Sequence, residues 1–294
     1  MRKIFSILSV VCLALGAMCA QAQTLDKDGL RYSVLDGSGV SVCVNPDDTT
    51  FLRGRVVIPS KVEIEGTNYN VVALPDTAFK NCDLIKTLVI PATVKSIGKN
   101  VVDYCFALTD FEVEHGGRYK AEDGILFTAD GVELVSCPSG KGGEYVVPAS
   151  VRKIHASAFA SCKNLSKITL PEGLTAIEDY TFYECWGLAD VVFPKSLETI
   201  GKFAFDGTIL QFLTFDKALK SIGDHAFDRS SMVEVMLLGS VPPVLGESVF
   251  GGDMGYTRLY VPVGTRAKYK NSEWKLFPVM YEGNKSRRWK GSYR

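Results

Sequence analysis

The sequence predicts a repeat solenoid. It reads as one curved array of about six coils, each with one short parallel β-strand and a short helical or 3₁₀ turn. Three observations predict this. Aromatic residues recur at a fixed spacing, an isoleucine follows each in register, and prolines keep the same beat. Aligned on the ring, the column is Phe79, Val102, Phe159, Phe182, Phe205 and Phe227, with steps of 23, 57, 23, 23 and 22 residues. The long step is one period plus an insertion. Ile97, Ile154, Ile177, Ile200 and Ile222 form the second column, and Pro91, Pro148, Pro171 and Pro194 the third. A period of 20 to 50 residues is the signature of stacked repeats, none of which can bury its apolar face alone.

The chain opens with Arg2 and Lys3, an apolar run from Ile4 to Met18, and Ala20-Gln21-Ala22. This is the pattern of an export signal, so 1–22 is assigned as a signal peptide with mature residues starting at Gln23. Cys19 follows Met18 rather than a small residue, which argues against lipidation. No later stretch is long and apolar enough for a membrane helix, so no membrane insertion is expected.

Residues 23–70 follow as an N-terminal β cap. Leu30-Arg31-Tyr32-Ser33-Val34 and Val40-Ser41-Val42-Cys43-Val44 alternate as strands do, and Asp36-Gly37-Ser38-Gly39 between them has turn chemistry. A cap is needed because the end coils of a solenoid expose both core and sheet edge.

The solenoid itself spans 71–240. Each unit has the form seen from Ile154-His155-Ala156-Ser157-Ala158-Phe159 to Leu170-Pro171. Leu88-Val89-Ile90, Ile168-Thr169-Leu170, Val191-Val192-Phe193, Leu213-Thr214-Phe215 and Val235-Met236-Leu237 are the strands, and proline ends three of them because it lacks an N–H. Ala-Phe-x-x-Cys is too short for a full helix and is expected as a single turn whose Phe rings build one continuous spine. Residues 114–147 are assigned to a hairpin insertion, 241–284 to a C-terminal closing segment and 285–294 to a basic tail.

These units resemble the BspA-like leucine-rich repeats of secreted bacterial proteins, a family of right-handed solenoids. Tyr119 to Pro148 resembles the hairpin insertion of that family. Val241-Pro242-Pro243 and Leu259 through Trp274 resemble its closing segment. The departures are Val102 for Phe, His155 and Glu178 for Gly, and two one-residue deletions. The resemblance implies extracellular or cell-surface protein recognition, with host matrix proteins or another surface protein as partner classes.

Charge is balanced, 33 basic against 33 acidic residues, which excludes a wholly basic nucleic-acid binder. Lys285, Arg287, Arg288, Lys290 and Arg294 concentrate positive charge in the tail, which holds no acid. Cys82, Cys105, Cys162 and Cys185 share one repeat column with Thr208 and Ser230, so they read as small buried packing residues with free thiols. Spacing of 23 residues fits no zinc motif. His115, His155 and His225 have no nucleophile at a recognisable spacing, so neither catalytic nor cofactor nor metal residues are assigned.

The function read from this pattern is a non-enzymatic, exported binding or adhesion protein with its protein partner on the concave face. The alternative is a carbohydrate-binding or structural accessory of the cell envelope, with Trp186 and tyrosines stacking on sugars. The outward strand positions are Thr87 and Val89, Asp110 and Glu112, Lys167 and Thr169, Asp190 and Val192, Phe212 and Thr214, Glu234 and Met236. Val192, Phe212 and Met236 are expected to line up as an apolar patch. Asp190, Thr214 and Glu234 complete the candidate contact set, unless the closing segment covers it.

Overall fold

The computed structural model describes residues 23–35, 39–44, 52–251 and 255–283. The leader 1–22, the turn 36–38 and the basic tail 285–294 lie outside the described residues. What is described is a β-solenoid of about nine turns.

The principal strands run parallel in three paired ladders. Gly54–Val57, Ile85–Ile90 and Asp110–Val113 form the first; Gly142–Val146, Asn164–Thr169 and Asp190–Val192 the second. Phe212–Phe215, Glu234–Leu237, Arg258–Val261 and Val279–Glu282 form the third. Alternation sets the faces: Leu88, Phe111, Ile168, Leu213 and Val235 are buried, and their strand neighbours other than Val89 are turned out or half-exposed.

Each regular coil also carries a feature the periodicity did not announce. The isoleucine column forms a ladder of two-residue strands, Ala176–Ile177, Thr199–Ile200, Ser221–Ile222 and Val244–Leu245.

The turn around each ring is built from 3₁₀-type bonds, such as Ala158 N–H to His155 O and Cys162 N–H to Phe159 O, both 3.1 Å. Two residues before and after the ring the backbone is left-handed, at Ser157 (φ 61°) and Ser161 (φ 60°), Tyr180 (57°) and Glu184 (54°). That conformation costs a non-glycine residue roughly 1–2 kcal/mol and stops the turn from growing into a helix. The same residues donate to the next coil, Tyr180 N–H to Lys202 O at 2.9 Å and Glu184 N–H to Asp206 O at 2.8 Å. Stacking therefore holds the strained turns in place.

Phe159, Phe182, Phe205 and Phe227 are fully buried and stack with centroids 5.1, 5.0 and 5.1 Å apart. Phe250, one period past Phe227, continues the stack at 5.6 Å. The spine is not continuous through the whole molecule, as the repeat suggested. The core falls into two clusters. Tyr119–Glu122 and Ile125–Thr128 form a hairpin between them. Leu126 packs into the N-terminal cluster, while Ile125 and Phe127 pack into the C-terminal one. Ile125–Thr128 pairs antiparallel with Glu133–Ser136 as well, Phe127 opposite Leu134. Glu133–Ser136 and Gly142–Val146 rejoin the array as a further coil, in which Cys137 N–H bonds Ala158 O at 2.6 Å, the bond each spine Phe makes. Val102 and Cys137, neither of which carries a ring, interrupt the spine.

Both ends are closed. Leu30–Leu35 and Gly39–Val44 pair antiparallel, with Tyr32 opposite Val42, and Val40 pairs Val71 to join the cap to the array. At the other end Trp274 and Tyr269 are fully buried, donating to Pro243 O and Gly239 O at 2.8 Å each.

Candidate partner-binding surface

The outward face of the principal strands resolves into two columns, fixed by strand register. Each position just before a core residue belongs to one column: Glu144, Lys167 and Asp190, then Phe212, Glu234, Arg258 and Val279. The position just after belongs to the other: Val146, Thr169 and Val192, then Thr214, Met236, Tyr260 and Tyr281.

This register corrects the expected alignment. Phe212 and Thr214 both face outward, two residues apart, but Thr214 pairs Met236 while Phe212 pairs Glu234, so Phe212 lies one pleat from Met236 in the charged column. Val192 ends the neighbouring ladder, which no strand pairing joins to Phe212–Phe215. Val192 is 44% and Phe212 49% exposed, while Met236 is half-buried. Thr214 is exposed, Asp190 exposed and Glu234 half-buried.

A second correction concerns Val89, which is buried rather than turned to solvent. Val89 is flanked in its column by Val57 and Glu112, and Arg55 reaches across its strand to Glu112, Nη2 to Oε2 2.6 Å.

The closing segment does not cover the face. Arg258–Val261 and Val279–Glu282 add two rungs edge-on and extend it. Tyr260 pairs Met236 and stacks on Tyr281 with centroids 5.3 Å apart. Sequence reading missed both tyrosines as surface residues, although Leu259-Tyr260-Val261 alternates as the other strands do. The resulting column is apolar or hydroxyl-bearing from Val146 to Tyr281. The charged column beside it is self-paired, with Lys167 to Asp190 at 3.2 Å and Arg258 to Glu234 at 3.4 Å. Exposed pairs of this kind add only about 0–1 kcal/mol to stability.

The other singled-out side chains have local partners. Cys105 donates to Phe79 O at 2.8 Å and Cys185 to Phe159 O at 3.0 Å, each one coil back. Cys82, Cys105, Cys162 and Cys185 are buried and free of disulfides. Burial pushes the Cys185 thiol far above its ordinary range. His155 meets Glu133 at 2.7 Å and His225 meets Asp228 at 3.2 Å. Among the described residues no group of three or more His, Cys, Asp or Glu is placed to hold a metal ion. No described helix is long and apolar enough to cross a membrane.

The model of the BspA type leucine-rich repeat region matches residues 60–123 and 142–254, in six copies. The unmatched 124–141 contain the second hairpin strand and the shortened turn. No curated protein matches the sequence. Among solved structures, the chain is similar to the pneumococcal vaccine antigen PcpA, at 16% identity and a TM-score of 0.46, covering 90% of this chain and 99% of that one. It is also similar to a leucine-rich cell surface protein from Faecalibacterium prausnitzii, at 16% identity and 0.45, covering 90% and 96%. A leucine-rich repeat protein from Bacteroides ovatus matches at 18% and 0.42, covering 88% and 76%.

Proposed function

This chain belongs to the BspA type leucine-rich repeat family, and on that premise we propose that it is an exported, non-enzymatic binding protein. It takes an extracellular protein partner on the outward face of the principal strands, toward the C-terminal end. The observation that carries this reading is the column Thr214, Met236, Tyr260 and Tyr281, with Phe212 beside it and Val192 exposed on the neighbouring ladder. Apolar groups that line up on adjacent rungs about 4.8 Å apart form a patch rather than scattered exposure, and patches mark interaction sites. Tyrosine is favoured there because a rigid ring buries much area at little entropic cost and keeps a polar tip. The flanking Asp190, Glu234 and Arg258 supply a charged rim.

The test uses residues 23–294 immobilised against purified extracellular matrix proteins. Phe212→Ser with Met236→Ser, and separately Tyr281→Ser, should leave the circular dichroism spectrum and melting midpoint intact. Binding should weaken about tenfold or more, as expected for central contact residues. Unchanged binding by folded variants would refute the assignment.

A further inference from the structure

A polar cleft of about 420 Å³ opens on a different side of the array, along the isoleucine ladder. Its origin lies in the glycine column. Where a coil has Gly after its Ile, the rung is paired to the preceding coil, as at Gly98, Gly201, Gly223 and Gly246. The space there admits no side chain. A Cβ on Gly201 would lie 2.5 Å from Asp179 Oδ1, one on Gly223 2.8 Å from the Gly201 backbone, and those on Gly98 and Gly246 would strike Asp76 and Asp224.

Two successive coils carry no Gly at this position, having His155 and Glu178 instead. His155 follows the shortened coil that carries Cys137, and Glu178 stands where no strand pairing joins Ile154 to Ile177. No strand pairing joins Ile97 to Leu134 either. The rung before His155 is itself paired, Ile154 to Leu134, so the ladder is interrupted on both sides of that pair, and the cleft lies along the interrupted stretch.

The lining is rich in unengaged hydrogen-bonding groups. Among the described residues, the ammonium groups of Lys99 and Lys153 have no ion-pair partner. The hydroxyls of Ser136 and Ser157, in residues only 7% and 8% exposed, have no hydrogen-bond partner. Glu178 supplies a carboxylate acceptor and Asn100 an amide. Donors and acceptors are mixed, positive and negative groups offset one another, and apolar surface from Ile97, Val101, Val135 and Ala156 lies between them. Such a lining suits neither a lipid nor a strongly charged ion. It suits a ligand that offers a hydroxyl at every turn, and the volume lies within the range of small-ligand sites.

We propose that this cleft binds a saccharide unit, held by Lys99, Ser136, Lys153, Ser157 and Glu178. The site is independent of the outward strand face, so the two assignments can fail separately.

The test is saturation-transfer NMR and calorimetry on residues 23–294 with three probes: disaccharides of glucose, of N-acetylglucosamine and of galacturonate. At least one should bind. Lys99→Ala with Lys153→Ala should weaken it about tenfold, the loss expected for a hydrogen bond from a charged group. Glu178→Gly, which restores the residue of the neighbouring coils and so keeps the fold, should weaken it as well. Phe212→Ser with Met236→Ser should leave it unchanged. Absence of binding by all three probes, or binding that the cleft variants do not alter, would overturn the proposal. Loss of sugar binding in the outward-face variant would overturn it too.

Discussion

Replacing Phe182 by alanine removes a fully buried ring stacked between Phe159 and Phe205, with centroids 5.1 and 5.0 Å away and interplanar angles of 21° and 12°. Loss of a buried Phe side chain costs about 3–5 kcal/mol, because the transfer energy goes and a cavity remains. Two offset stacks, worth roughly 0.5–1.5 kcal/mol each beyond area burial, go with it. The upper half of the range is expected, because each coil is held by its neighbours' backbone bonds and cannot collapse into the gap. Phe182 N–H would still bond Ala204 O, so the lattice should survive. In guanidinium titration the variant should lose about 4–5 kcal/mol, with a midpoint roughly 10 °C lower on heating at this chain length. A loss below about 1 kcal/mol, the size of an ordinary surface change, would refute the reasoning that the rings carry the array.

Trp274→Ala should cost about 3–5 kcal/mol by opening the C-terminal closure, read by denaturant titration. Alkylation of the unfolded protein followed by mass spectrometry should find Cys82, Cys105, Cys162 and Cys185 all free, and a bridge between any two would contradict the packing-column reading. Asp224 sits below its ordinary value of 3.8, held there by Lys202 and by the N–H of Glu247. A lowered folded value means that its contribution is present above about pH 4 and is lost as pH falls through the folded value. The melting-point gap between wild type and Asp224→Asn should therefore be present at pH 7 and close toward pH 3.

The repeat was legible because packing in one dimension forces the same residue into the same place every 23 positions. Ring, isoleucine and proline columns needed no knowledge of distant contacts. What escaped was whatever depended on a residue out of type. Cys137 holds a spine position without a ring, so a whole coil was hidden inside an apparent insertion. Phe250 stands one period beyond Phe227 but belongs to a coil whose strand is delayed to Arg258, and the delay masked it. The outward face was legible as two positions per strand, but not which column each occupied. Phe212 and Met236 differ by one pleat, a distinction that only register decides. His155 and Glu178 were visible as departures from glycine. Their consequence was not, because it depends on how closely the preceding coil approaches.

The central functional claim is that the outward strand face is the contact surface. Hydroxyl-radical footprinting tests it most directly, because Phe212, Met236, Tyr260 and Tyr281 are readily oxidised, as are Tyr180 and Trp186 on the turn edge. With a bound protein partner, oxidation should fall at the first four and stay constant at Tyr180 and Trp186. Protection confined to Tyr180 and Trp186, with the strand-face residues oxidised as in the free chain, would contradict the account.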